Sequence, residues 1–384
     1  SAATAGISAA IMDDEHEIQS ITDTNNYIID VGTNATSAVS TTNDCTVTYE
    51  IQAGRNRALS GYGWGTGTWD SANTWDTPNT SDSVTIALRS WALDNWGEDI
   101  IALDIDAGIY VWDTSGGIST ASNLASAISN APTKSKFTLV SNPDRHLICF
   151  GTETTIGTTS TQDPMFIRWS DQDDYTSWTA SATNSAGSQR VTGGSKIVTA
   201  VSTRGQILFL TDTSAHGMSF IGAPFTFGFQ KLGTNCGAVS PHCAVDISGI
   251  IYWMSSDGFY MFDGTVRKMP CTVEDFVFDN IDATQLEQVY AASNSAFGEV
   301  IWLYCSTSSN QIDRYVIFNY QEKLWYTGSL DRSTWIDSGT YSLPYATKYD
   351  GSANTTVYVH ESGTDDDGST MTSFIESGDF DIGD

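Results

Sequence analysis

The residues able to do chemistry are few, and their spacing does not suit it. Cys236 and Cys243, with His242 between them, are the closest thiol pair, yet no second Cys-x-x-Cys or His-x-x-x-His half accompanies them, so no zinc site is expected. Asp365-Asp366-Asp367-Gly368 resembles half a calcium loop. With Gly368 at its sixth position, Asp365 and Asp367 fall correctly at the third and fifth, but Gly363 takes the first and Phe374 the twelfth. A solvated turn is the simpler expectation. Gly193-Gly194-Ser195-Lys196 lacks the upstream glycine of a phosphate loop, and the glycines from Gly61 to Gly67 lack the strand and helix a dinucleotide fingerprint needs. The histidines His16, His146, His216, His242 and His360 are far apart, with no Gly-x-Ser-x-Gly or His-Glu-x-x-His beside them. Adjacent carboxylates such as Asp173 and Asp174 suit glycoside hydrolysis in principle, but with 46 acids such pairs arise by chance. We therefore assign no catalytic, cofactor or metal residue. The local basic pairs are Arg55/Arg57, Lys134/Lys136 and Arg267/Lys268; Arg267 and Lys268, after the turn Asp263-Gly264, are the candidates for a channel or interface contact.

Charge narrows the function classes further. The 384 residues carry 17 basic and 46 acidic side chains, a formal charge of −29, which excludes a surface that coats nucleic acid. Hydrophobic residues make up 40% and aromatic residues 11%, enough for a sizeable core and too much for a disordered chain. The six cysteines (Cys45, Cys149, Cys236, Cys243, Cys271, Cys305) are scattered and read as reduced, mostly buried thiols. No apolar run reaches the roughly 18 residues of a membrane span, and residues 1–17 lack the basic and apolar regions of a signal peptide. The first residue, Ser, and the strand-like terminal run after Ser373 suggest the middle of a longer polypeptide.

The elements that must position these residues are strands. Short β-branched and aromatic runs closed by turns recur at 108–117, 165–171, 206–213, 249–264, 299–306 and 314–328, which makes the class mainly β. The acids closing successive runs, Asp113, Asp171, Asp212 and Asp257, lie 58, 41 and 45 residues apart. Propeller blades repeat at roughly 40–50 residues, so the expected body is β-propeller-like, with Trp169, Trp253 and Trp302 inside; an irregular all-β domain is the alternative. Two segments look helical, 119–130 and 272–281, the first from Leu124 and Ile128 one turn apart before Pro132, the second from acids in its first turn. Residues 1–60 read as a small inserted β-domain of about three strands, 61–99 as a Gly/Trp-rich connector, and 100–384 as the propeller body, completed by flanking sequence. In the connector, Trp64, Trp69 and Trp75 form either a packed loop or an aromatic contact surface for sugars or another subunit.

Longer strings carry a family likeness. They are Pro164-Met165-Phe166-Ile167-Arg168-Trp169-Ser170-Asp171, then Trp178, Asn184 and Ala186-Gly187, then Ile221-Gly222 with Pro224-Phe225, Gly233-Thr234-Asn235-Cys236-Gly237, Tyr252-Trp253-Met254, Asp263-Gly264 and Pro270-Cys271. With further matches at 61–75, at Trp91 and Asn95 to Asp99, and near the C-terminal end, the chain resembles the tail nozzle family of short-tailed bacteriophages, the packaged-DNA stabilisation or tail tubular proteins. The likeness runs from about Gly61 onward and leaves the first sixty residues as a variable domain. It implies a structural virion protein, not an enzyme, assembled in the host cytoplasm and located in the virion tail. As a homo-hexamer it would continue the genome channel below the head–tail adaptor protein, meet tail fibre or tailspike and tail needle proteins, and retain packaged dsDNA until ejection. No cofactor and no membrane enter this picture. The acidic charge suits it, because an acidic wall repels phosphate and lets a genome slide. The runner-up is a β-propeller glycan-binding or glycan-hydrolysing tail protein, which needs a cleft with paired carboxylates and stacked aromatics. An acidic protein of a salt-adapted organism would explain the charge but not the strings.

Overall fold

The computed structural model describes residues 6–8, 11, 16, 18–23, 26–37, 62–63, 79–80, 90–117, 125–142, 144–349, 355–366 and 368–370. The chain divides into two compact units, residues 1–50 and 51–384. In the first, Ile18–Asp23 and Asn26–Ile29 pair as an antiparallel hairpin, in agreement with the alternating runs there. The third strand expected near residues 46–52 lies outside the described residues.

The second unit is a six-bladed β-propeller. Blade 1 comprises Trp91–Trp96, Asp99–Asp104, Ile109–Trp112 and Ser126–Ala127; blade 2, Phe137–Val140, Leu147–Phe150, Phe166–Trp169 and Gly187–Arg190. Blade 3 comprises Ile197–Ser202, Ile207–Thr211, Ser214–Gly222 and Thr226–Thr234; blade 4, Ala244–Ile247, Ile250–Ser255, Gly258–Phe262 and Val266–Lys268. Blade 5 comprises Tyr290–Asn294, Glu299–Tyr304, Arg314–Asn319 and Leu324–Ser329. Blade 6 has three strands among the described residues, Thr334–Ile336, Tyr345–Tyr349 and Thr355–Val359. Each blade is an antiparallel meander in chain order, and the first strands of blades 1 to 6 pack one on the next, which puts them at the axis.

The burial of each strand follows from its place in the meander. Second strands lie between two neighbouring blades and are apolar on both faces, so Leu147–Phe150 and Ile207–Thr211 are buried throughout. Fourth strands meet solvent, and Gly187–Arg190 and Val266–Lys268 are correspondingly polar. The expected interior tryptophans are inside: Trp169 is 5% exposed, and Trp253 and Trp302 are fully buried. Indole N–H groups tie blades together. Trp253 Nε1 donates to Cys236 O at 2.9 Å, Trp302 Nε1 to Cys243 O at 3.0 Å and Trp335 Nε1 to Ser293 O at 3.1 Å, each reaching back toward the preceding blade. Gly237 permits one such junction: a Cβ there would stand 2.0 Å from Asp212 O.

Three expectations are corrected. The propeller starts at Trp91, not at 100, because Trp91–Trp96 pairs in full register with Asp99–Asp104 across the turn Gly97-Glu98. The repeat is real but the acids do not mark it. First strands begin at Trp91, Phe137, Ile197, Ala244, Tyr290 and Thr334, spacings of 46, 60, 47, 46 and 44. Asp113 and Asp171 follow third strands, whereas Asp212 and Asp257 turn between second and third strands. Blade 2 is long because two loops are enlarged, 151–165 between its second and third strands and the inserted loop 170–186 before its last. Of the segment 119–130, residues 118–124 lie outside the described ones, and Ser126–Ala127 forms a strand on Ile109–Trp112 with Ile128 N donating to Ile109 O; blade pairing overrides the local helical spacing. The second expected helix is present as Glu274–Asn280.

Candidate functional site

Arg267 and Lys268 sit on the outer strand of blade 4, and both are tied down by acids instead of projecting freely. Arg267 Nη2 lies 2.5 Å from Asp263 Oδ2, and Lys268 Nζ lies 2.9 Å from Glu274 Oε1 and 2.6 Å from Asp257 O. The bond to Glu274 raises the Lys268 ammonium above its ordinary value. Burial works to raise the Asp263 carboxyl, but the Arg267 guanidinium outweighs it and holds the group below the usual carboxylate range. The turn Asp-Gly-Thr places Asp263 back over its own strand, so the positive charge of the pair is cancelled locally. Lys136 is likewise paired, with Asp106, while Arg55 and Arg57 lie outside the described residues.

The arrangement closest to catalytic machinery forms where no sequence motif announces it. His146, fully buried ahead of the second strand of blade 2, has Nδ1 3.0 Å from Asp144 Oδ2 and Nε2 3.0 Å from Ser185 Oγ. These are the distances of a carboxylate–imidazole–hydroxyl relay. The polarity is wrong for a nucleophile. Ser185 Oγ lies 2.6 Å from Asp171 Oδ1 and accepts the Gln172 N–H at 2.9 Å, so its single proton belongs to the carboxylate and not to the imidazole. Burial acts to raise Asp171, but the hydrogen bonds from Ser185 keep it below the ordinary range, as an ionised acceptor. The rings of Phe220 and Phe227 stand 5.7 and 5.1 Å from the imidazole and cover it. The relay pins the inserted loop of blade 2 to the propeller. Its only sequence trace is the Asp-x-His of Asp144 and His146, since Ser185 arrives from 39 residues away.

At the axis, His242 precedes the first strand of blade 4 and bonds through Nε2 to Ser90 Oγ, 2.8 Å away, ahead of the first strand of blade 1. Tyr290 and Phe137 pack around its ring, with centroids 5.5 and 6.5 Å off. Burial pushes the imidazole down to about 4. Blades 1 and 4 face each other across the ring, so a direct bond between them closes the centre of the propeller at this end.

Between blades 5 and 6 lies a cavity of about 170 Å³, with Asp313 and Asp331 set against Arg332 and Lys348. Lys348 pairs with Asp331 at 3.2 Å, and Arg332, 6% exposed, donates to His360 Nε2 and Asp331 O and lies 4.0 Å from the Tyr358 ring. Its charges cancel in place. Among the described residues no group of three or more His, Cys, Asp or Glu is disposed to hold a metal, and Asp365 and Asp366 pair with Ser369 and Thr370 in a short hairpin with Gly368 at φ +78°. Five cysteines, Cys149, Cys236, Cys243, Cys271 and Cys305, are free thiols; Cys45 lies outside the described residues. No described helix is long and apolar enough to cross a membrane.

No protein-family model and no curated protein matches the sequence. Solved structures to which the chain is similar match it at low identity. A computationally designed protein, Ika8, is 9% identical over 71% of each chain with a TM-score of 0.42. The AfRom2 CNH domain is 9% identical over 71% of this chain and 94% of that one, TM-score 0.36. A putative 6-phosphogluconolactonase from Bacteroides uniformis is 10% identical over 74% of this chain and 84% of that one, TM-score 0.43.

Proposed function

We propose that this chain is a structural virion protein, the tail nozzle of a short-tailed bacteriophage, which continues the genome channel below the head–tail adaptor and retains DNA until ejection. The observation that carries the reading is the ordered set of strings from Pro164 to Cys271, whose residues build shape and not chemistry. Trp169 and Trp253 are core; Gly233 to Gly237 make the blade 3 to blade 4 junction; Ile221, Pro224 and Phe225 form a projecting hairpin end. The pinned axis fits a channel enclosed between copies. A wall with pI near 4.1 repels phosphate, so passage is low in friction and DNA is not gripped.

Electron microscopy of the purified chain tests this reading, since it calls for a sixfold ring with an axial hole. Particles that stay single propellers at every concentration would sink it. Binding of a defined host glycan in a cleft, with no ring, would favour the glycan-directed tail protein instead.

A further inference from the structure

Blade 3 ends in a hairpin that outgrows its sheet. Ser214–Gly222 and Thr226–Thr234 pair up to Gly222 and Thr226, but the second strand covers this hairpin only as far as Met218, so the hairpin runs on past its sheet and its tip, Ile221 to Phe225, reaches solvent. Gly222, at φ +75°, makes the tight end possible, and Phe225 N donates to Gly222 O at 3.2 Å. The base is anchored. Thr226 Oγ1 donates to Ser185 O at 3.0 Å, and the Phe227 ring packs edge-on against Trp169 with centroids 5.3 Å apart. What this rigid stem presents to solvent is Phe220, Ile221 and Phe225, the last 73% exposed. No charged residue occurs between His216 and Lys231, in a chain where 16% of residues are charged.

The far side of the ring exposes a matching surface. The sheet faces flanking the boundary between blades 6 and 1 keep Ile336, Val357 and Val359 exposed on one side and Trp91 and Leu93 on the other. The buried cores run through blades 1 to 3, blades 3 to 5 and blades 5 to 6, and among the described residues none joins blade 6 to blade 1.

We propose that the blade 3 hairpin end of one copy seats in the boundary between blades 6 and 1 of a second copy. This rests on the ring-forming reading and names the contact that would build the ring. A second copy is the occupant because the chain carries both halves. Two copies at −29 each repel, so an uncharged contact is favoured, and both surfaces carry exposed apolar side chains among the described residues. Donor and acceptor surfaces differ and lie on different sides of the propeller, so the contact is head-to-tail and propagates until a ring closes. Phe225 and Ile221 are pre-positioned anchors, which lowers the entropy lost on docking.

The test is light scattering after size exclusion on the 384-residue chain and two double variants, each first shown by circular dichroism to keep the wild-type spectrum. Ile221→Asp/Phe225→Asp removes the donor; Leu93→Asp/Val357→Asp removes the acceptor. Each should weaken association by about 100-fold or more and run as a monomer where wild type is assembled. Mixed together they should give a dimer and nothing larger, because one intact donor meets one intact acceptor. Variants that assemble like wild type, or a mixture that stays monomeric, would overturn the contact while leaving the ring reading in place. A wild-type chain that stays monomeric at all concentrations would overturn both.

Discussion

The boundary between blades 4 and 5 and the boundary between blades 6 and 1 join sheets of the same design by opposite chemistry. At the first, Phe259 stands 4.8 Å from both Trp302 and Trp325, and the two indoles reach across to Cys243 O and Pro270 O. At the second, Trp91 and Leu93 remain 49% and 66% exposed. Burying an indole and satisfying its N–H adds to what strand pairing supplies within each sheet, and among the described residues the 4/5 boundary has this filling while the 6/1 boundary keeps apolar side chains exposed.

The comparison breaks most visibly at Trp302. Trp302→Ala should cost about 3–5 kcal/mol in urea unfolding, whereas Leu93→Ala should fall within about 0.5 kcal/mol. Equal costs would mean that the two boundaries are equivalent after all. The next effect is acid sensitivity at the axis. Burial lowers folded His242 to about 4 from 6.5, so the unfolded chain takes up the proton first. Stability is therefore full above pH 6.5 and drains as pH falls toward 4, by about 3 kcal/mol. His242→Gln should flatten that part of the pH profile; an unchanged slope would place the acid sensitivity elsewhere. Third, burial pushes the Cys149 and Cys305 thiols up to about 12, so alkylation of native protein at pH 8 should spare both, and labelling without unfolding would show that the cores breathe. Smallest is the outer strand of blade 4. Arg267→Glu with Lys268→Glu sets new acids beside Asp263 and Glu274 and should cost under about 1 kcal/mol with DNA retention unchanged; virions that leaked their genomes would mean that these residues grip DNA.

Much of the tight region was legible in the sequence, because its second strands are unbroken apolar runs such as Ile250–Ser255 and its tryptophans sit within them. The helix Glu274–Asn280 showed in its acids, and the short repeat in its aromatic runs. The open boundary was not legible. Alternation in Trp91–Trp96 states that one face differs from the other, but which face finds a neighbour depends on residues more than 240 positions away. The same distance problem hid the relay at His146, whose serine comes from the inserted loop, and misplaced the blade markers, since Asp113 and Asp212 end runs for different reasons. The basic pair was found but not its neutralisation, which needed the fold of the turn at Asp263.

The bond from Ser90 to His242 has a mechanical meaning. It ties the hub ends of two opposite blades, so that squeezing the propeller across its centre loads a hydrogen bond packed between Tyr290 and Phe137. The brace joins two blades, 1 and 4, that share no buried core among the described residues. A load on the hub end of one of them passes through this bond to the sheet opposite as well as to its neighbours in the ring.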